Sequence, residues 1–396
     1  MRRASPPGPV IIGGGPAGAA AAIALARAGA AVTLIERSCG PCDKVCGDFL
    51  SVEAIAAATS LGVDPAALGA APMTAVRLIH ANRVADAALP FPALGLSRRA
   101  LDEALLRQAA ACGATILRGH AVRSLTRNDA GLQLDGGSLG RIAARSVFLA
   151  TGKHELRGAA RASHGARMVG LKMYYALDPR RHEALRQHVE LVLFDGGYAG
   201  LQPVEGDRAV LCVLLSAARL RAGGGQWDSL LASLMAACPH LADRLCGARP
   251  LLAAPLAVAG LPFGYRHTPR ADDTPGLFRL GDQAAVIPSF TGDGVALALG
   301  GGTLAAETLL AGGDAAHYHR RLAAGVSRQM RVASAIHRAC LAPAAQPWVV
   351  AAAAIWPGVL RSAAAWTRSG LRPETRQRGF APLDTPAKAE PLQSLT

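Results

Sequence analysis

A run of glycines between two apolar segments constrains this chain more than any other feature. Gly13-Gly14-Gly15-Pro16-Ala17-Gly18 follows the apolar triplet Val10 to Ile12 and opens an alanine-rich stretch that ends at Gly29; Ala31 to Ile35 is apolar again. The spacing predicts a short buried strand, a tight turn, a helix from Pro16 through Ala28, and a second strand. Gly13 permits the turn, Gly15 lets the backbone approach a pyrophosphate, and Gly18 lets the helix pack closely on the strand. Pro16 suits the first helical turn, where its missing N–H costs nothing, and Gly29 closes the helix. Unpaired N–H groups and the positive dipole end then face the phosphates. Glu36 ends the second strand, where a carboxylate accepts hydrogen bonds from an adenosine ribose and disfavours a 2′-phosphate. The residues expected to hold a dinucleotide here are Gly13, Gly15, Pro16, Ala17, Gly18, Glu36 and the adjoining Arg37.

Composition excludes some alternatives. The 396 residues, 51% of them hydrophobic, can bury a core of two or three structural units. The formal charge of +14 comes almost wholly from arginine, with Lys44, Lys153, Lys172 and Lys388 the only lysines. Its basic pairs are scattered, with no interleaved aromatic platform, which argues against nucleic acid as a partner. Such a field suits anionic cofactors, substrates or membrane surfaces. The apolar stretch from Val10 to Val32 contains Pro16, Arg27 and the glycine turn, and no cleavage site follows. A cytoplasmic protein without a targeting segment is therefore expected. Eight cysteines without a secreted-domain framework suit free thiols in a reducing compartment.

Further along, Val76 to Leu89 alternates like strands with a turn near Asn82. Leu101 to Ala111 reads as an amphipathic helix ended by Gly113, with strands near Thr115 to Leu117 and Val147 to Ala150. From about Gly165 to Pro269 the strand candidates Val189 to Phe194, Gly200 to Pro203 and Ala209 to Leu215 suggest an antiparallel sheet, with helices around Trp227 to Ala237. Strand–turn–helix order returns at Leu277 to Leu309. The economical picture is a nucleotide domain in three parts (1–71, 97–155, 272–330), interrupted by a substrate domain (72–96, 156–271) and followed by a C-terminal helical segment and tail (331–396). The tail, polar from Asp384 onward, is expected to be loose.

The second nucleotide motif lies far from the first. Leu277 to Leu280 runs into Gly281-Asp282, followed by Pro288, Thr291, Gly292, Asp293, Gly294 and Val295, and then an apolar helix. This resembles the second FAD fingerprint of the p-hydroxybenzoate hydroxylase and geranylgeranyl reductase superfamily. The resemblance implies FAD as cofactor, with Gly281 and Asp282 at the ribityl chain. Gly292, Asp293, Gly294 and Val295 would lie at the flavin pyrimidine ring, where a helix N-terminus stabilises the negative charge of reduced flavin. Arg98 sits where these flavoproteins carry an arginine near the cofactor. Lys44-Val45-Cys46-Gly47-Asp48-Phe49-Leu50-Ser51 looks like the K-x-C-G-x-x-L-S loop of geranylgeranyl reductases and related dehydrogenases and halogenases, adding Lys44, Cys46 and Gly47 to the cofactor residues. Gly301, Gly302, Ala305 and Ala306 match the family's last flavin-contacting helix. The matches span residues 9 to 310. They imply an α/β fold: a Rossmann-like, glutathione-reductase-type FAD-binding domain with an inserted antiparallel-sheet substrate domain and a C-terminal helical segment. Two departures matter. Thr151-Gly152 stands where many hydroxylases have Asp-Gly, and there is no second G-x-G-x-x-G. The electron donor is therefore open between NAD(P)H and a separate reductase. The W-x-W-x-I-P segment of the halogenases is absent.

Candidate catalytic residues are Cys46, redox-active or substrate-facing as against packed, and His154, an acid/base as against a satisfied polar residue. Cys39, Cys42 and Cys46 lack an evident fourth ligand, so no metal is expected. Tyr174, Tyr175 and Tyr198 either line the sheet face of a pocket or pack. Trp348 to Trp366, apolar and broken by Pro357, reads as a docked helix or as a peripheral membrane contact. The expected function is an FAD-dependent monooxygenase tailoring a small apolar aromatic or polyketide-like molecule. The alternatives are a reductase or dehydrogenase acting on C–C double bonds, which Thr151 and the Lys44 to Ser51 loop favour, and a flavin electron carrier.

Overall fold

In the computed structural model, which describes residues 8–128, 131–161 and 168–368, the nucleotide motifs sit on one parallel sheet. Its five strands run in the order Leu277–Arg279, Val147–Leu149, Val10–Ile12, Thr33–Glu36, Thr115–Arg118. These strands are short and mostly apolar because both faces are covered, as parallel sheets require. Ile11, Leu34, Phe148 and Phe278 pack under the helices Pro16–Arg27, Arg98–Ala111 and Gly294–Leu310. Their neighbours Val10, Ile12, Ile35, Val147, Leu149 and Leu277 point the other way, onto a three-stranded antiparallel sheet formed by Ser124–Asn128, Gly131–Asp135 and Arg141–Ala144.

The alanines and glycines of the first and last of these helices let their backbones touch. A Cβ on Gly302 would fall 2.2 Å from the carbonyl oxygen of Ala17. Helix Arg98–Ala111 starts where the sequence changes from alternation to a helical period, with Ser97 as its cap accepting from the N–H of Ala100 at 3.2 Å.

The inserted unit is a nine-stranded sheet built around Met168–Ala176, Gln187–Phe194, Gly197–Val204 and Arg208–Ser216, joined to Ala71–His80 and Arg83–Gly95. The expected antiparallel sheet is mixed: Gln187–Phe194 pairs parallel with Ala71–His80, and every other pairing is antiparallel. Alternation divides its faces. Leu171, Met173, Val192, Leu201, Leu211 and Val213 pack on the helices Trp227–Ala237 and Pro239–Leu245. The opposite face looks toward the nucleotide domain.

Helix Ala315–Leu341, capped by Asp314, runs unbroken through residue 330, where a domain boundary was expected. Two short helices follow, Gln346–Ile355 and Gly358–Trp366, bent by 111° at Trp356-Pro357. Among the described residues no single helix is long and apolar enough to cross a membrane. The tail from Asp384 lies outside the described residues.

Candidate functional site

A cavity of about 660 Å³ lies between the carboxyl edge of the parallel sheet and the free face of the large sheet. At the first glycine turn, Gly13 has φ +104°, and a Cβ there would stand 2.4 Å from the Ala150 carbonyl oxygen. Helix Pro16–Arg27 begins with no side-chain cap, so its leading N–H groups remain for a ligand. Gly13, Gly15, Pro16 and Ala17 line the cavity. Gly18 does not; its missing Cβ would overlap the Gly13 carbonyl at 2.0 Å, so it seats the helix on the turn. The Glu36 carboxylate accepts from the N–H groups of Gly14 at 2.6 Å and Ser38 at 2.9 Å and lines the cavity. Burial works to raise its pKa, but Lys44 and these amides outweigh it and hold the group below the usual carboxylate range.

On the far side of the sheet, Gly281 (φ +54°) leads into Asp282, which lines the cavity. Arg161 donates to the Asp282 backbone carbonyl at 2.8 Å, while the carboxylate has no protein partner among the described residues. Gly292 (φ +72°) is pressed on the Phe49 ring, 2.4 Å from where its Cβ would be. Gly294 and Val295 open helix Gly294–Leu310 at the cavity, again without a side-chain cap. Asp293, expected among the cofactor residues, does not line the cavity. It is fully buried against Arg368 at 2.9 Å, and burial pushes its pKa up to about 7 despite that partner.

The Lys44 to Ser51 loop brings Lys44, Cys46 and Gly47 to the cavity wall. A buried polar network holds it there. Asp48 (φ +57°) is fully buried and accepts from Lys172 Nζ and Tyr174 Oη, each at 2.6 Å, and from the N–H of Arg98 at 3.3 Å. Lys172 also donates to the Lys44 carbonyl at 3.0 Å. Asp102 receives Lys44 at 2.9 Å and a two-pronged bond from Arg98 at 2.7 and 2.9 Å, which sets Arg98 across the turn from Gly15. Burial pushes Asp48's pKa up against the pull of Lys172 and Tyr174. Sequence reasoning missed the roles of Asp48 and Lys172. The available signal was a lone lysine inside an apolar run, since a buried charge requires a partner.

Cys46 accepts the N–H of Asp48 at 3.4 Å. Cys212, also missed, reaches the cavity from the sheet, its thiol pushed up to about 12 by burial. Among the described residues Cys39, Cys42 and Cys46 do not converge; Cys42 pairs with the Ser38 hydroxyl at 3.3 Å. A different group does gather, His267, Asp273 and His319, and it is used internally. His267 Nε2 pairs with Asp273 at 3.0 Å, and His319 Nε2 accepts the Arg279 N–H at 3.1 Å. His154 lines the cavity on Arg37, Nε2 to guanidinium 2.8 Å, beside the nucleotide turn. Burial and then Arg37 hold its pKa down. Tyr198 reaches the cavity and pairs with Ser289 at 2.6 Å; Tyr174 belongs to the Asp48 network, and Tyr175 packs in the opposite core.

The two walls differ in chemistry. Glu36, Arg37, Lys44, Arg98, Lys153 and Asp282 come from the nucleotide domain and its loops, whereas every strand residue of the large sheet that reaches the cavity is uncharged.

Residues 9–142 match the family described as FAD binding domain. The chain is an FAD-dependent oxidoreductase. This oxidoreductase is 29% identical over 330 residues to a menaquinone reductase of Mycolicibacterium smegmatis, covering 77% of this chain and 76% of that one. A menaquinone reductase of Mycobacterium tuberculosis is 29% identical over 324 residues, covering 76% of each. The fold of this chain is similar to that of the flavin-dependent brominase Bmp2, with a TM-score of 0.76 at 18% identity over 93% of this chain and 94% of that one. A flavoprotein/dehydrogenase from Cytophaga hutchinsonii gives 0.70 at 16% identity over 85% and 86%. FAD suits the residues present: a bare glycine cradle, a second uncapped helix start, and at Asp282 a carboxylate without a partner among the described residues.

Proposed function

We propose that this oxidoreductase reduces carbon–carbon double bonds in an apolar, isoprenoid-type substrate. The carrying observation is the uncharged sheet wall of the cavity. It offers hydrocarbon such as Val76, Leu78, Val189, Leu191, Leu214 and Val258, with Gln202, Cys212 and the Tyr198–Ser289 pair as its polar points. The menaquinone reductases named above support a lipophilic substrate, as does the Lys44 to Ser51 loop. When bound, FAD supplies two-electron redox chemistry.

The chain's own residues do the rest. Gly13, Gly15 and the start of helix Pro16–Arg27 take the pyrophosphate, and Glu36 and Asp282 accept hydroxyl donors of the ribose and the ribityl chain. The uncapped start of helix Gly294–Leu310 would stabilise negative charge on the reduced cofactor, and Lys44 and Arg98, which share Asp102, would add positive charge to the same cavity. The sheet wall excludes water and positions the substrate by burial alone. Tyr198, kept protonated by burial, holds a proton at Oη on that wall. Thr151, in place of the hydroxylase aspartate, favours a separate reductase over direct NAD(P)H as electron donor.

The test is anaerobic mixing of the chemically reduced holoprotein with a polyprenyl quinone. Flavin reoxidation is expected, with a product that stays heavier by two hydrogen atoms after any quinol is reoxidised to the quinone. A gain lost on that reoxidation would mean that only the quinone ring was reduced and would overturn this reading. A product that forms only with oxygen and gains an oxygen atom would replace this reading with monooxygenation.

A further inference from the structure

The two helices at the end of the described chain carry apolar residues that the fold leaves outside. Trp348 is 76% exposed, Ile355 70%, Trp356 68% and Trp366 62%. On Gln346–Ile355 the buried positions Gln346, Val350 and Ala353 seat the helix, while Trp348 and Ile355, one heptad apart, share the outer side. On Gly358–Trp366 the separation is sharper. Leu360, Ala363, Ala364 and Thr367 follow i, i+3, i+4, i+7 spacing and line the cavity, whereas Val359 and Trp366 face out. One thin helix is thus the cavity wall on its inner side and an exposed apolar surface on its outer side.

Charge says what covers that surface. From Ala315 to Pro373 there is no Asp or Glu, while Arg320, Arg321, Arg328, Arg331, Arg338 and Arg361 fall in the same stretch; Arg368 is held inward by Asp293 and Glu53. Arg361 is exposed beside the tryptophans. Tryptophan beside arginine on an acid-free apolar face is the composition of a helix lying in a membrane interface. The helices, each roughly 15 Å long, are too short to span a hydrocarbon core of about 30 Å, and their 111° bend rules out one continuous rod.

We propose that this bent helix pair docks flat on an anionic phospholipid bilayer and places the cavity wall formed by Leu360, Ala363 and Ala364 against the lipid. An apolar substrate then passes from the acyl layer into the cavity without crossing water. That route rests on the function proposed above; the docking does not.

The experiment is sedimentation of the full-length holoprotein with vesicles, either phosphatidylcholine alone or phosphatidylcholine with phosphatidylglycerol, at two salt concentrations. The parent is compared with the combined Trp348→Ser, Trp356→Ser, Trp366→Ser variant. Binding to the phosphatidylglycerol vesicles, weakened by salt and at least tenfold weaker in the variant, is expected, with flavin content and melting temperature unchanged. Quenching of parental tryptophan fluorescence by brominated acyl chains would support shallow insertion. Failure of the parent to bind anionic vesicles, equal binding by parent and variant, or a salt-stable dimer abolished by the variant would overturn the proposal. The last outcome would assign the face to a second copy of the chain. All these readouts are independent of turnover, so a wrong substrate class would leave them standing.

Discussion

Asp282 and Lys172 show how differently a single charge enters this site. Asp282 offers a carboxylate to the cavity with no protein partner among the described residues. Asp282→Ala therefore removes a charge-assisted hydrogen bond to the cofactor, worth about 1.5–3 kcal/mol, and disturbs little else. Flavin fluorescence titration should show affinity roughly 10- to 100-fold weaker at a nearly constant melting temperature; unchanged affinity would move the ribityl chain elsewhere. Lys172 is fully buried on Asp48, so Lys172→Met leaves a buried carboxylate with only Tyr174 and a backbone N–H. The expected loss is about 3–5 kcal/mol, read from denaturant midpoints, and Asp48→Asn added to it should recover much of that loss. The glycines and Glu36 were legible in the sequence because their spacing states their geometry, and Asp282 through the resemblance of the Gly281-Asp282 segment to a family fingerprint. Asp48 and Lys172 were not, since each gains its role only from the other, 124 positions away.

At the level of elements, helices with glycine or proline punctuation and alternating strands were readable, and Val10–Ile12 and Trp227–Ala237 came out with the bounds their patterns suggested. Strand Met168–Ala176 escaped because it is buried on both faces: its apolar run lacks alternation, and Lys172 looks like a solvent contact. The three-stranded sheet escaped because its strands are only four or five residues long, too short for a period to stand out, and Ser124–Asn128 carries a single apolar residue, Leu125. Helix contact makes a sharper test. Gly302→Ala would drive a Cβ into the Ala17 backbone, which cannot rotate aside, and should destabilise by about 1–3 kcal/mol. Its neighbour Gly301 meets the Tyr318 hydroxyl at 3.5 Å and Leu322 Cδ1 at 3.6 Å, both ordinary van der Waals contacts, so Gly301→Ala should be neutral or gain up to about 1 kcal/mol from helix propensity. Thermal melts of the two variants side by side decide the matter; equal effects would mean that the helix pair is not in backbone contact.

For the whole molecule, a nucleotide domain interrupted by a sheet domain was visible in the order of patterns, but the parallel joint between Gln187–Phe194 and Ala71–His80 was not. Pairing across more than a hundred residues leaves no local trace. The joint response to acid is predictable from buried histidines. Burial, with Arg338 beside it, holds His337 down at about 4, and burial first of all holds His319 at about 3. The unfolded chain takes up these protons near 6.5, so the folded state is fully favoured above that pH and loses stability as pH falls toward 4 and below. His337→Phe keeps an aromatic ring against Tyr198 and Phe263 and removes one proton site. Its urea midpoint should fall less than the parent's between pH 6.5 and 4, and parallel curves would refute the assignment. The Asp48–Lys172 pair has a last consequence, for anyone recombining such enzymes. It joins a loop of the first domain to a strand of the second. A chimaera that exchanges residues 168–261 for those of a relative without a lysine at position 172 strands the Asp48 charge unless it also takes residues 44–51 from the same parent.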